Sequence, residues 1–219
     1  MRKSIFLNFP FIFFLILSIH YSLSNEISDQ DIRDDSEAPL RTYPWMISLR
    51  LSFMNIKRDC GGVLISDTYV LTAASCFRNV TSFARYFTIK AGVHRIENIN
   101  EPNEQSRPMT QLIQHPNYTN NSYLNDLALI RVSPPFRLSR RSVFPIDLSN
   151  LTSVENMNLT VIGWGGMNPF PFPIPLKQTI VEENLQCTQE KFTDPSTQLC
   201  TTGKEFFLVI MITNDFSFI

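Results

Sequence analysis

Hydrophobic and polar residues alternate along parts of the chain with a period of two, the pattern of a β-strand with one buried face. Ile47, Leu49 and Leu51 alternate with Ser48 and Arg50. Apolar residues do not recur at the spacing that an amphipathic helix of three turns requires. The pattern therefore predicts an all-β chain. Further short apolar runs of β-type composition occupy 63–65, 69–71, 87–89, 127–132 and 159–162.

Turn-forming residues separate these runs. Short strands at intervals of about 8–12 residues, with turns between them, indicate a β-sandwich or a β-barrel. Proline alternates with phenylalanine and isoleucine over 169–175, which favours an extended loop because proline lacks a backbone donor. The turn signals are Asn55, Gly61-Gly62, Pro102-Asn103, Pro116-Asn117 and Pro134-Pro135.

Composition limits the classes of function. The chain has 219 residues, enough for one or two small domains with a sizeable core. Nineteen basic and twenty acidic residues give a formal net charge of −1, which excludes a polybasic nucleic-acid binder. Charged residues make up only 18% of the chain, so it is not a disordered charged tail. We expect a globular protein with no nucleic-acid partner.

The N-terminus predicts export. A basic start, Met1-Arg2-Lys3, precedes an apolar stretch over 9–19, and Ser22 and Ser24 suit a cleavage site. The apolar stretch is shorter than the roughly 20 residues that a bilayer span needs, so a cleaved signal peptide over 1–24 is favoured over a signal anchor. We expect a short pro-segment-like stretch over 25–31. The mature protein is predicted to be extracellular, without a membrane attachment.

Four cysteines follow the predicted leader: Cys60, Cys76, Cys187 and Cys200. An even number in an oxidising compartment predicts two disulfides, for which three pairings are possible. Pairing sequence neighbours would close two short loops. A zinc site is disfavoured because the spacing offers no Cys-x-x-Cys pair and no clustered histidine. We therefore expect no metal and no cofactor.

Acceptors for N-linked glycans are frequent. Each acceptor asparagine has Ser or Thr two residues later, and several such sites behind a leader fit a loop-rich extracellular surface. Each motif alone is weak because it often arises by chance. The five acceptors are Asn79, Asn117, Asn120, Asn150 and Asn158.

Several short motifs occur in the order found in trypsin-like serine proteases of the S1 family. They are the residues of 43–49, 60–65, 70–76, 115–118, 125–130 and 163–165. On these residues the chain resembles that family from about 32 to 200. The resemblance implies the trypsin-like double β-barrel, with a first barrel over 32–145 and a second over 146–219 that is incomplete at its C-terminal end and has an atypical tail. It also implies the pairs Cys60–Cys76 and Cys187–Cys200.

Catalysis in this family uses a serine nucleophile, a histidine base and an aspartate that orients the histidine. The resemblance places Asp126 at the aspartate position. It places Ser75, within Ala73-Ala74-Ser75-Cys76, where the family has histidine. A serine hydroxyl is a very weak base near neutral pH, so Ser75 is not competent in that role. His115 matches a structural His-Pro-x-Tyr motif of the family and is predicted to be a turn or packing residue.

The nucleophile is predicted to be missing. The family places Gly-Asp-Ser-Gly-Gly after the cysteine that Cys200 matches, whereas this chain continues through 201–205 into the apolar run 206–212. The printed sequence contains no Gly-x-Ser-Gly, and the family's oxyanion hole uses backbone donors of that turn. No basic residue stands immediately before Ile32, the aligned activation position.

Three hypotheses about function remain open at this stage. The first is a secreted, catalytically inactive peptidase homologue that binds a protein ligand through loops of the first barrel. The second is an active serine endopeptidase represented by a truncated or mis-spliced sequence. The third is a truncated product without function.

Overall fold

The computed structural model describes residues 36–53, 56–96, 101–120, 124–148, 158–165, 174–182 and 210–213. All of them fall within one compact unit, 31–219. These residues form strands and two short 3₁₀ helices, Ala74–Phe77 and Thr81–Tyr86. The strands are β1 (Ser36–Glu37), β2 (Met46–Phe53), β3 (Ile56–Leu64), β4 (Tyr69–Thr72), β5 (Phe87–Ala91), β6 (Arg95–Ile96), β7 (Gln105–Gln114), β8 (Ala128–Val132), β9 (Asn158–Gly163), β10 (Ile174–Pro175), β11 (Lys177–Glu182) and β12 (Ile210–Thr213).

Six strands close into an antiparallel barrel in the order β2-β3-β4-β8-β7-β5. Leu49 on β2 pairs with Cys60 on β3 and with Ile89 on β5, so β2 has a neighbour on each side. Ile47, Leu49 and Leu51 point into the barrel and are fully buried. The alternation seen in the sequence thus reflects one face packed in the core and one face turned outward.

Strand β7 was not predicted from the sequence. Its residues run Gln-Ser-Arg-Pro-Met-Thr-Gln-Leu-Ile-Gln, and every one of them is half-buried or exposed. Only Met109 and Leu112 pack against the main core. A strand with so little apolar content has no clear two-residue pattern, and its place between β5 and β8 comes from pairing with those strands.

A second sheet has the order β1-β11-β9-β12. β1 comes from the N-terminal side of the barrel yet pairs with β11, through Ser36 with Gln178 and Glu37 with Lys177. A second apolar cluster lies where this sheet meets the barrel, and Trp164 donates from its indole Nε1 to the carbonyl oxygen of His94 at 3.1 Å. The buried members of this cluster are Ala38, Met46, Val63, Val93, Ile146, Ile162, Trp164 and Leu176.

Glycine is required at position 92, in the turn after β5. Its φ is +73°, and a Cβ built there would lie 2.3 Å from the carbonyl oxygen of Asn103. We expect Gly92→Ala to lower the free energy of unfolding by about 3 kcal/mol, which combines left-handed strain with steric displacement.

A matched control for this prediction is Gly61→Ala on β3, where a Cβ would meet no atom within 4 Å. Its effect should be below about 1 kcal/mol. Urea denaturation of both variants measures the difference. Equal stability of the two variants would contradict the assignment of strain to position 92.

Candidate functional site

Asp126 lies just before β8, in a turn that aims its carboxylate back at the barrel's 3₁₀ helix. The preceding residue, Asn125, has a φ of +55°, a conformation that asparagine tolerates better than most residues. The backbone N–H of Leu127 donates to the Asn125 carbonyl at 2.7 Å, and the N–H of His115 donates to the Leu127 carbonyl at 2.8 Å. These bonds fix the backbone on both sides of Asp126.

Ser75 lies in the 3₁₀ helix Ala74–Phe77, which follows β4. Its neighbours Ala74, Cys76 and Phe77 are buried, whereas Ser75 itself is half-buried. The backbone N–H of Ser75 donates to Oδ1 of Asp126 at 2.6 Å. The structure therefore brings together the two positions that the sequence singled out, although they are 51 residues apart.

The segment from Thr72 to Arg78, which contains the 3₁₀ helix, is tied to β3 in three ways. Cys60 and Cys76 form a disulfide. The hydroxyl of Thr72 donates to the carbonyl of Gly61 at 2.7 Å. Arg58 donates from Nη1 to the backbone carbonyls of Ser75, Cys76 and Arg78 at 3.2, 3.3 and 2.9 Å. Carbonyls at the end of a short helix need such outside partners.

Arg58 was missed by sequence reasoning. It precedes Cys60 by two residues, and nothing in that spacing indicates that its guanidinium reaches the helix end 17 to 20 residues later. Arg58 touches the backbone of Ser75, the residue at the predicted base position. It is therefore a positioning residue for the segment that carries Ser75.

We expect Arg58→Met to lower the free energy of unfolding by about 2–3 kcal/mol, because three carbonyls lose one charged donor. Arg131→Met is a suitable control, since Arg131 is an exposed arginine on strand β8 of the same barrel. That change should cost less than about 0.5 kcal/mol. Chemical denaturation of both variants gives the comparison, and similar losses in the two would contradict the role of Arg58.

The histidines of the barrel have other partners. Nε2 of His94, a buried side chain, lies 2.9 Å from Oε1 of Glu37. The hydrogen bond from His94, helped by the charge of Arg95, lowers the pKa of Glu37. Nδ1 of His115 accepts the backbone N–H of Asn117 at 3.2 Å, within its own turn.

Some of the remaining predicted site residues lie in the part of the chain that the structure describes, and others lie outside it. Asn79, Asn117 and Asn120 are exposed, as a glycan acceptor must be. The predicted leader 1–24, the stretch 25–31, Asn150, and the cysteines Cys187 and Cys200 lie outside the described residues. Asn158 is the first residue of β9.

The residues that the structure describes contain no group of three or more His, Cys, Asp or Glu side chains placed to hold a metal ion. In the same part of the chain, no helix has the length and hydropathy to cross a membrane.

A sequence model of the Trypsin family matches residues 32–206. The chain belongs to the trypsin family. Its fold also agrees, since a solved structure titled "Structure of GrC" superposes with a TM-score of 0.66 at 26% identity, covering 78% of this chain and 75% of the other. The all-β, trypsin-like double-barrel fold class predicted from the sequence is confirmed.

Individual trypsin-family relatives are moderately similar. Serine protease 1 of Rattus norvegicus is 31% identical over 137 residues, covering 63% of this chain and 51% of the relative. Granzyme B of Homo sapiens is 27% identical over 198 residues, covering 87% of this chain and 77% of the relative. The chain spans about half the length of the first curated relatives that it matches, 51% in both of the first two.

Proposed function

We propose that this chain is a secreted trypsin-like serine-peptidase homologue that does not hydrolyse peptide bonds and that binds a protein ligand through loops of its first barrel. The observation that carries the proposal is Ser75 beside Asp126, joined by the 2.6 Å bond from the Ser75 backbone N–H to Oδ1. The roles that we assign to these residues, base position for Ser75 and aspartate position for Asp126, come from the resemblance to the trypsin family.

The chemistry of the base position supports inactivity. In a serine protease the base must take a proton from the nucleophile and then carry positive charge beside the aspartate. The hydroxyl of Ser75 does neither near neutral pH, because it has no basic lone pair comparable to that of imidazole. The side chain of Ser75 also ends one atom beyond Cβ, so it is much shorter than the side chain of a histidine. Asp126 is left to accept a backbone N–H.

The architecture supports a binding role. The first barrel is closed on all sides, and its core is continuous although the base position has changed. A closed barrel is a rigid support for surface loops, and loops on rigid scaffolds are where binding residues concentrate. The loops of the first barrel are therefore our candidate surface.

Secretion is supported by two observations. The disulfide between Cys60 and Cys76 is of a kind that persists in oxidising compartments. The glycan acceptors Asn79, Asn117 and Asn120 are exposed. Expression of the full chain in eukaryotic cells should give medium-borne protein that begins near Asn25 and loses mass on deglycosylation. An intracellular, unglycosylated product of full length would overturn this part of the proposal.

The test of inactivity uses the secreted full chain. We expect no labelling by a fluorophosphonate probe and no hydrolysis of peptide or ester substrates above background. Activated Serine protease 1 of the rat, assayed in parallel, shows that probe and substrates are competent. Active-site labelling together with turnover by the unmodified chain would overturn the proposal and favour an active endopeptidase.

A further inference from the structure

Positive charge is concentrated on one part of the first barrel. Residues 105–146 contain five arginines and a single acidic residue, Asp126, although the whole chain has a net charge of −1. Four of the five arginines are exposed and the fifth is half-buried. We call the four of them other than Arg131 the arginine face: Arg107, Arg137, Arg140 and Arg141.

Two members of the arginine face are held together by one glutamine. Gln105 donates from Nε2 to the carbonyl of Arg137 at 2.8 Å, and its Oε1 accepts the backbone N–H of Arg137 at 2.8 Å. The same Oε1 accepts Nη2 of Arg107 at 3.0 Å. Arg107 also donates from Nε to the carbonyl of Pro135 at 3.1 Å, so its guanidinium is fixed against the loop that carries Arg137.

Arg140 and Arg141 project from a tight turn. The turn is closed by reciprocal backbone bonds between Ser139 and Val143, at 2.7 and 2.9 Å. The guanidinium carbon of Arg140 lies 5.2 Å from the ring centroid of Phe144. The turn therefore carries two consecutive arginines, the first of them three residues after Arg137, which Gln105 holds.

The charges of the arginine face are not neutralised within the part of the chain that the structure describes, where none of its members forms an ion pair with a carboxylate. Basic residues elsewhere on the barrel behave differently. Arg50 pairs with Asp59 at 2.9 Å, Lys90 with Glu104 at 2.6 Å and Arg95 with Glu37 at 2.6 Å. A group of like charges left without counter-charges raises the local positive potential and attracts polyanions.

The aromatic rings at this face bear on which polyanion fits. Arg107 lies 5.3 Å from the centroid of Phe136, whose side chain is only 3% exposed, and Phe144 lies under Arg140. These rings are covered by guanidinium groups and do not offer the open faces on which nucleic-acid bases stack. The described part of the face also has no helix to enter a groove of a duplex. Nucleic acid is therefore disfavoured.

We propose that the arginine face binds a sulfated polysaccharide of the glycosaminoglycan class. Sulfate and carboxylate groups repeat along such a chain, and each matches the planar fork of a guanidinium. This binding is separate from the base position at Ser75 and goes beyond the proposed function.

The experiment measures heparin affinity of the secreted full chain at several salt concentrations. We expect the double variant Arg140→Ser, Arg141→Ser to bind about tenfold more weakly at physiological salt. The slope of log affinity against log salt should fall by about two. The control variant Arg50→Ser, Arg85→Ser removes the same number of positive charges from β2 and from the 3₁₀ helix Thr81–Tyr86, and it should bind like wild type.

A second measurement needs no variant. Phenylglyoxal modifies exposed arginines, and heparin should slow the modification of Arg137, Arg140 and Arg141 about fivefold or more while leaving the modification of Arg85 unchanged. Three outcomes would overturn the proposal: uniform or absent protection, equal losses in the two double variants, or equal affinity for single-stranded DNA of matched charge. Stronger binding to phosphatidylserine vesicles than to heparin would also overturn it and assign the face to a membrane.

Discussion

Replacing Ser75 by histidine should raise kcat/KM by about 10³-fold or more in a chimera that carries a complete nucleophile segment. The chimera joins this chain through residue 200 to the C-terminal part of rat Serine protease 1 and has a cleavable activation sequence before Ile32. Imidazole placed there would lie beside Asp126, whose carboxylate already reaches the backbone of position 75 at 2.6 Å. The gain comes from a base that accepts a proton near neutral pH.

Two controls sharpen this prediction. Adding Asp126→Asn to the Ser75→His chimera should lower the rate again, by about 10⁴-fold, because the imidazole loses the carboxylate that orients it. Ser75→His in the unmodified chain should create no activity. Steady-state kinetics on a peptide substrate measure all variants. A chimera equally active with and without histidine at position 75 would show that the base position is assigned wrongly.

Loss of the Cys60–Cys76 disulfide should lower the free energy of unfolding by about 3 kcal/mol. The two cysteines are 16 residues apart, and a cross-link of that span removes about this much entropy from the unfolded chain. The bond also ties β3 to the 3₁₀ helix that positions Ser75. Urea denaturation of the double variant Cys60→Ala, Cys76→Ala gives the loss.

A control separates the covalent bond from side-chain packing. Reduction of protein that carries Cys187→Ala and Cys200→Ala breaks the Cys60–Cys76 bond alone and keeps both of its sulfur atoms, and Cys76 is buried. Most of the loss should already occur on reduction, with about 1 kcal/mol more from the substitutions, which remove sulfur atoms from the protein interior. Full stability of the reduced protein would contradict a stabilising role for the cross-link.

Strand assignments from the sequence succeeded where alternation is strong and failed where it is weak. β2 was predicted because its buried positions are apolar and its outward positions are mostly polar. β7 was not, because it is polar along most of its length and takes its place through pairing with β5 and β8. The alternation of residue types shows which side chains are buried. Pairing between backbones depends little on residue type, so the sequence does not show which strands pair.

Some residues of the candidate site were likewise predicted from the sequence, and others were not. Resemblance to the family's motifs predicted the aspartate position at Asp126 and the base position at Ser75. Arg58 carried no such signal, because its three carbonyl partners lie on a helix end that only the folded barrel places within reach. The net charge of −1 did not indicate the arginine face, because it sums the charges of the whole chain.

The sequence by itself determined that this protein is an all-β chain, since alternation of residue type over short runs indicates strands. Its motifs also carried the family resemblance that predicts Ser75 at the histidine position. The tertiary structure decided which strands meet. It closed the six-stranded barrel, paired β1 with β11, and placed the Ser75 amide against Asp126 across 51 residues. Contacts between distant residues depend on closure of the whole chain around its core, and short-range patterns do not encode that closure.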